Sequence, residues 1–208
     1  MKSPTRIPLY VIIPLMVLSI AGCTGRDIDT GIDVAALEQR LVEGDLVFRR
    51  GTGVVGHIVT SVDRLGNYSH VGIAVKRDGE WCVVHAVPHE PDFEGDIDRV
   101  KCERLESFVK RYKEGAMGHY RVLVEDSARK VAANNALRLS SLRIPFDHDY
   151  NLEDSSAFYC TELVEYLYLL SGISLSGGRR TEVSFPSLAG NYIMPSDLTE
   201  SELLEPIY

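Results

Sequence analysis

The stretch SSAFYCTELVEYLYLL, residues 155–170, sets a cysteine just ahead of an apolar run. Leu163, Leu167 and Leu170, with Val164, recur at helical spacing, and Ser155 or Ser156 is the expected N-cap. Cys160 then falls in or near the first turn, where free N–H groups and the helix dipole favour thiolate over thiol. The same N–H groups can receive the oxyanion of a carbonyl under attack. A nucleophilic thiol needs a base within hydrogen-bond reach and a third group to hold the base's ring. Two histidines can supply both. In YSHVGIAVKRDGEWCVVHAV, two β-branched strands meet at Asp78-Gly79, a hairpin signal. Alternation places Tyr68, His70, Gly72 and Ala74 on one face of the first strand, and Trp81, Val83, His85 and Val87 on one face of the second. His70 and His85 can therefore share one side of the sheet, in a register that the turn alone does not fix. Cys160, His70 and His85 are also zinc-ligand types, but no short-spaced ligand pair accompanies them, so no metal or other cofactor is expected.

The elements that must position these residues follow from the pattern. A helix is expected at about 33–42 and a short strand within EGDLVFRRGTG, ending in a flexible rim through Gly51, Gly53 and Gly56. VVGHIVTSVDR reads as a short helix. Past the hairpin, residues 88–98 form a polar loop, then come a strand near 99–103, a helix over LESFVKRYK and a strand in GHYRVLVE. A helix at about 127–141 precedes a Pro/Asp-rich loop and the Cys160 helix, which ends at Gly172. The remainder is Gly/Ser/Pro-rich with a final short turn of structure. Strands and helices come in blocks, which favours α+β over a parallel α/β fold.

The N-terminus decides where the protein works. Lys2 and Arg6 precede a nearly continuous apolar segment at 7–20, interrupted by Pro8 and Pro14. It is too short for a comfortable membrane span and matches the apolar core of a secretory signal. The IAGC that follows resembles a bacterial lipobox, so residues 1–22 are expected to be a lipoprotein signal peptide and Cys23 the lipidated N-terminus. Residues 23–32 are then a tether and 33–208 the domain, held at the cell envelope by its lipid; Thr24 favours the outer membrane in a Gram-negative host. The chain carries −8, and loss of Lys2 and Arg6 takes it to −10, with no basic cluster to track phosphates; nucleic acid is not an expected partner. With Cys23 lipidated, Cys82, Cys102 and Cys160 remain. Cys82 and Cys102 are either paired, leaving Cys160 free, or reduced and buried.

Five segments, GDLVFRRG, YSHVGIAV, WCVVHAV, RIPFDHDYNLED and FYCTELV, occur in this order. Together they resemble the circularly permuted branch of the NlpC-type papain-like cysteine hydrolases, the YaeF/YiiX-like amidase group, over about residues 43–170. In that branch the histidine precedes the cysteine, as here. The resemblance implies a papain-like α+β fold, an antiparallel sheet or open barrel packed against the Cys160 helix. It implies Cys160 as nucleophile, His70 as general base and then acid, and His85 as the residue that orients His70. Many members of the group carry a carboxylate at that third position, whereas a histidine is more like the lecithin:retinol acyltransferase relatives. Glu90 or another nearby acid therefore stays open as an assisting group. Tyr68 and Tyr159 are expected to line the cleft, Asp147 to be structural or rim-forming, Glu162 to cap or salt-bridge the helix, and His57, His119 and His148 to be ordinary surface or half-buried histidines. The implied reaction is amide hydrolysis through a thioester, on cell-wall peptides or N-acyl, lipid-like amides. Acyl transfer from a lipid donor by the same residues, and a non-catalytic envelope binding module, are the alternatives.

Overall fold

Val71, Ile73 and Val75 alternate with Gly72 and Ala74 along one strand, and all are buried, because the sheet that carries them is covered on both faces. The structure is a computed structural model that describes residues 32–51, 53–111, 117–185 and 188–207. Cys23 and the expected signal lie outside these residues. Among the described residues, no helix is long and apolar enough to cross a membrane.

The chain runs α1 (Val34–Arg40), β1 (Leu46–Arg49), α2 (Val54–Val62), β2 (His70–Arg77), β3 (Glu80–Val87), β4 (Arg99–Arg104), α3 (Leu105–Lys110) and β5 (Met117–Val122). It continues through α4 (Asp126–Ser141), α5 (Cys160–Leu169), β6 (Thr181–Val183), β7 (Gly190–Tyr192), α6 (Pro195–Thr199) and β8 (Leu204–Pro206). Six strands form one sheet in the order β4-β3-β2-β1-β5-β8, and β6 pairs with β7 apart from it. Every strand pair is antiparallel. Asp78 and Gly79 close the β2–β3 hairpin with φ of 55° and 85°, the left-handed conformations that a tight two-residue turn requires. The strands β6, β7 and β8 have no counterpart in the sequence reading: each is three residues long, too short to show a period of two.

One face of the sheet packs Phe48, Val71, Ile73 and Val84 against Ala132, Ala136, Leu163 and Leu167 of α4 and α5. The other packs Val47, Ala74 and Val83 against Leu37, Leu41, Leu105 and Phe108, on and beside α1 and α3. The fold is thus mixed α+β, an antiparallel sheet against helices, as read from the sequence. Within α5 the stripe is turned slightly: Tyr168 is fully buried, its hydroxyl donating to Gly44 O at 2.6 Å, while Leu170 is 44% exposed. The helix has ended by then, so Leu170 no longer follows its period. His119 is not an ordinary histidine of the surface. It lies buried with Nε2 2.7 Å from Asp45 Oδ2, and Arg121 holds the same carboxylate. Cys82 and Cys102 are both free thiols, in contact between β3 and β4; burial, then the neighbouring Cys82, pushes the Cys102 thiol up to about 12.

Candidate active site

His70 opens β2, and its surroundings depend on how β2 and β3 part. The two strands pair from Arg77↔Glu80 to Ile73↔Val84. There their ladder ends, while β3 stays paired with β4 out to Val87↔Arg99. Gly72 sits where they diverge. A Cβ on it would lie 2.3 Å from Val83 Cγ1 and 3.1 Å from His85 Cβ, so the absent side chain is what admits His85 beside His70. His70 Nε2 and His85 Nδ1 share a hydrogen bond of 2.8 Å. Phe108 packs against both rings, at centroid distances of 5.9 and 5.1 Å.

Cys160 is the first residue of α5. Its N-cap is Tyr159 rather than Ser155 or Ser156; Ser156 instead bonds Asp154 within the preceding loop. Glu162 caps the helix by accepting the Tyr159 N–H at 3.2 Å. The thiol accepts N–H groups from Thr161 and from Val71, the residue after His70. This seats Cys160 on β2 beside the histidine, and the two open on one cavity. With Nε2 committed to His85, Nδ1 is the ring nitrogen of His70 left for the thiol.

The electrostatics differ from the expectation of a thiolate. Burial pushes the Cys160 thiol up to about 11, and the N–H groups of Val71, Thr161 and Cys160 itself offset that only in part. Burial likewise holds His70 and His85 well below the usual imidazole range, with Arg49 adding to both. The helix start does stabilise the anion, but desolvation by the protein packed around the half-buried sulfur outweighs it. Burial thus opposes charge on both the thiol and the imidazole, and favours a reaction in which charge develops as the carbonyl is attacked.

The cavity measures about 230 Å³. Ser69, His70, Cys160 and Thr161 are joined there by apolar and aromatic side chains: Val55, Ile58, Val59 and Val62 of α2, and Val183, Leu188, Ile193 and Met194 from the last quarter of the chain. That last segment is tied to the cysteine helix. Tyr159 OH accepts the Ile193 N–H at 3.0 Å, and Thr161 Oγ1 donates to Ile193 O at 2.6 Å. Tyr159 thus lines the cavity with its hydroxyl occupied. Tyr68 does not line it: its ring packs against Phe48 and Tyr120, and it covers Gly118. Tyr150, unremarked in the sequence, does line it, among Phe146, Tyr159 and Tyr192. Asp147 is structural, taking the N–H groups of Asp149 and Asn151 at 2.9 and 2.5 Å.

Glu90, the acid considered beside His85, is turned to arginines. Its Oε1 accepts from Arg49 at 2.6 Å, and its Oε2 lies 3.5 Å from Arg111. The carboxylate nearest His85 is instead Glu103 on β4, with Oε2 3.3 Å from His85 Nε2. Only the fold brings it there, since β4 is joined to β3 by an eleven-residue connection whose course the sequence does not reveal.

Among curated proteins none matches this chain. Among solved structures it is similar to the crystal structure of metalloprotein yiiX from Escherichia coli O157:H7, at 19% identity and a TM-score of 0.64, over 80% of this chain and 96% of that one. That likeness is one of fold. The family model of the permuted papain-like amidase enzymes, YaeF/YiiX type, matches residues 40–183, the span that carries His70, His85 and Cys160 in permuted order. The chain belongs to this family, C92, and is a papain-like cysteine amidase or peptidase.

Proposed function

We propose that the enzyme hydrolyses the amide bond of substrates with an apolar acyl chain, through a thioester on Cys160. The observation that carries this reading is the cavity: Cys160 and His70 open on a space walled almost wholly by apolar side chains. A cell-wall peptide is rich in charged and amide groups, which would lose hydration there without partners. An acyl chain would bury methylenes, each contributing about 0.8 kcal/mol. In the reaction, His70 takes the Cys160 proton as sulfur attacks the carbonyl. The N–H groups at the start of α5 hold the oxyanion. The imidazolium then returns its proton to the leaving amine, and water activated by His70 releases the acid.

The solved relative is described as a metalloprotein. Here the nearest donor set is His85 Nε2 with one oxygen each of Glu90 and Glu103, all within 4.8 Å of one another. One atom of each residue is buried without a hydrogen-bond partner, but the surrounding cations argue against a divalent ion. Arg49 and Arg111 already neutralise both carboxylates, and Lys101 and Arg99 add positive charge around His85. An ion would bring two further positive charges to a buried, balanced cluster. No step is routed through a metal.

At the N-terminus, the charge, apolar segment and IAGC support the reading of Cys23 as a lipid anchor to the envelope, within a short tether of lipid-like substrates.

The test is a series of p-nitroanilides with acyl chains from acetyl to dodecanoyl, set against cell-wall muropeptides. The expected result is a kcat/KM that climbs about fourfold per methylene until the cavity is filled. Muropeptide cleavage with no dependence on acyl length would refute the reading.

A further inference from the structure

Behind the Cys160–His70–His85 series stands a carboxylate to which the sequence pattern gives no role. Glu103 and His85 lie on neighbouring strands, in a register that pairs Val83 with Glu103 and His85 with Lys101. Their side chains are 7% and 0% exposed, and Glu103 Oε2 stands 3.3 Å from His85 Nε2. Neither of these two buried atoms has a hydrogen-bond partner: the 3.3 Å contact between them is a close approach whose angle falls short of a hydrogen bond. The other oxygen is pinned, because Arg111 Nε donates to Glu103 Oε1 at 3.0 Å. The carboxylate is thus tethered, and its unpartnered oxygen lies beside the ring nitrogen of His85 that is not bonded to His70, close enough for a small ring rotation to make the bond.

We propose that Glu103 is a positioning residue: it fixes the proton of His85 on Nε2 and, through His85, gives His70 the tautomer a general base needs. The charged groups around His85 are the carboxylates of Glu103 and Glu90 and the cations of Arg49, Lys101, Arg111 and Arg99, with Arg111 bonded to Glu103 itself. Burial first, and then those four charges, disfavour a second proton on the ring, so it carries one. Placed on Nε2, that proton faces the carboxylate. Placed on Nδ1, it would leave the Nε2 lone pair against a carboxylate lone pair in a buried site. With Nε2–H set, His85 Nδ1 is a bare acceptor, and the 2.8 Å bond must carry the proton of His70 Nε2. The His70 Nδ1 lone pair is then free to take the Cys160 proton. The imidazolium so formed keeps its Nε2–H donated to His85, and no proton passes beyond His70. The opposite tautomer of His85 would force the His70 proton onto Nδ1, and the base would be lost. A carboxylate that orients a histidine directly would do this in one step; here a second histidine is interposed, and Glu103 serves it as an outer partner serves a ligating imidazole.

The proposal rests on the assignment of Cys160 and His70 as nucleophile and base, but its main readout does not depend on any substrate. Two-bond proton–nitrogen NMR correlations of the histidine rings report the tautomer in the unmodified protein. His85 protonated on Nε2 and His70 protonated on Nε2 are expected; His85 protonated on Nδ1 overturns the proposal outright, whether or not any variant folds. In Glu103→Gln the correlations should move to a mixture or to the Nδ1–H form. The kcat for decanoyl-p-nitroanilide should fall about tenfold to a hundredfold with KM unchanged. An unchanged tautomer with unchanged kcat overturns the proposal. So does stoichiometric metal in the purified protein that Glu103→Gln loses, because Glu103 would then be a ligand.

Discussion

Cys160 and His70 illustrate how burial and function pull against each other at single residues. The N–H groups of Val71 and Thr161 aim at the sulfur as they must in order to hold a thiolate, yet burial keeps the thiol protonated, at about 11. Burial has consequences for stability as well. His70 and His85 are held well below 6.5 by desolvation and then by Arg49, so each is neutral in the fold and protonates in the unfolded chain first. The unfolded state then binds more protons, and stability falls as pH drops below 6.5, by up to about 1.4 kcal/mol per pH unit for each histidine. Glu162 acts in the opposite direction. Burial first, then repulsion from Asp147 and Asp154, raises its carboxyl from 4.5 to about 8, so stability falls as pH rises from 4.5 through 8. One carboxyl opposes two histidines below pH 6.5 and acts alone above it. Urea midpoints should therefore peak near pH 6.5, and Glu162→Gln should remove the decline between pH 6.5 and 8. A midpoint that rises steadily from pH 6.5 to 8 would contradict this assignment.

At the scale of elements, the β2–β3 hairpin builds the histidine pair. Its turn and its alternation were legible in the sequence, because Asp78-Gly79 and the β-branched strands carry local signals. The close approach at Gly72 was not, since it depends on which residue the register puts opposite. Gly72→Ala is expected to push His85 away from His70, to destabilise the protein by about 1–3 kcal/mol as overpacking does, and to lower activity even under conditions where the variant is fully folded. Denaturant melts and turnover of the folded variant check both parts; full activity would show that the strands can separate further without cost. The start of α5 was read in broad position but not in its cap. Tyr159 takes that place because Phe158 and Tyr159 are themselves buried, which a count of capping propensities does not register.

The whole molecule brings together parts that are far apart in the chain. The order histidine strand, then cysteine helix, was readable from five short segments, and so was the α+β fold they imply. The cavity was not. Its walls come from α2 and from the segment around Ile193, about 130 residues apart, and no local periodicity announces that Ile193 binds both residues flanking Cys160. Nor could the sequence choose between Glu90 and Glu103, which differ in distance from His85 only once β4 has paired with β3. The assembled site makes one claim above the others, that an acyl group passes through the sulfur of Cys160. Rapid quenching of decanoyl-p-nitroanilide turnover, followed by mass analysis of the intact protein and its peptides, tests it most directly. The account predicts a decanoyl adduct confined to the Cys160 peptide, absent in Cys160→Ala and much reduced in His70→Ala. Turnover that persists in Cys160→Ala, or an adduct on another residue, would contradict it.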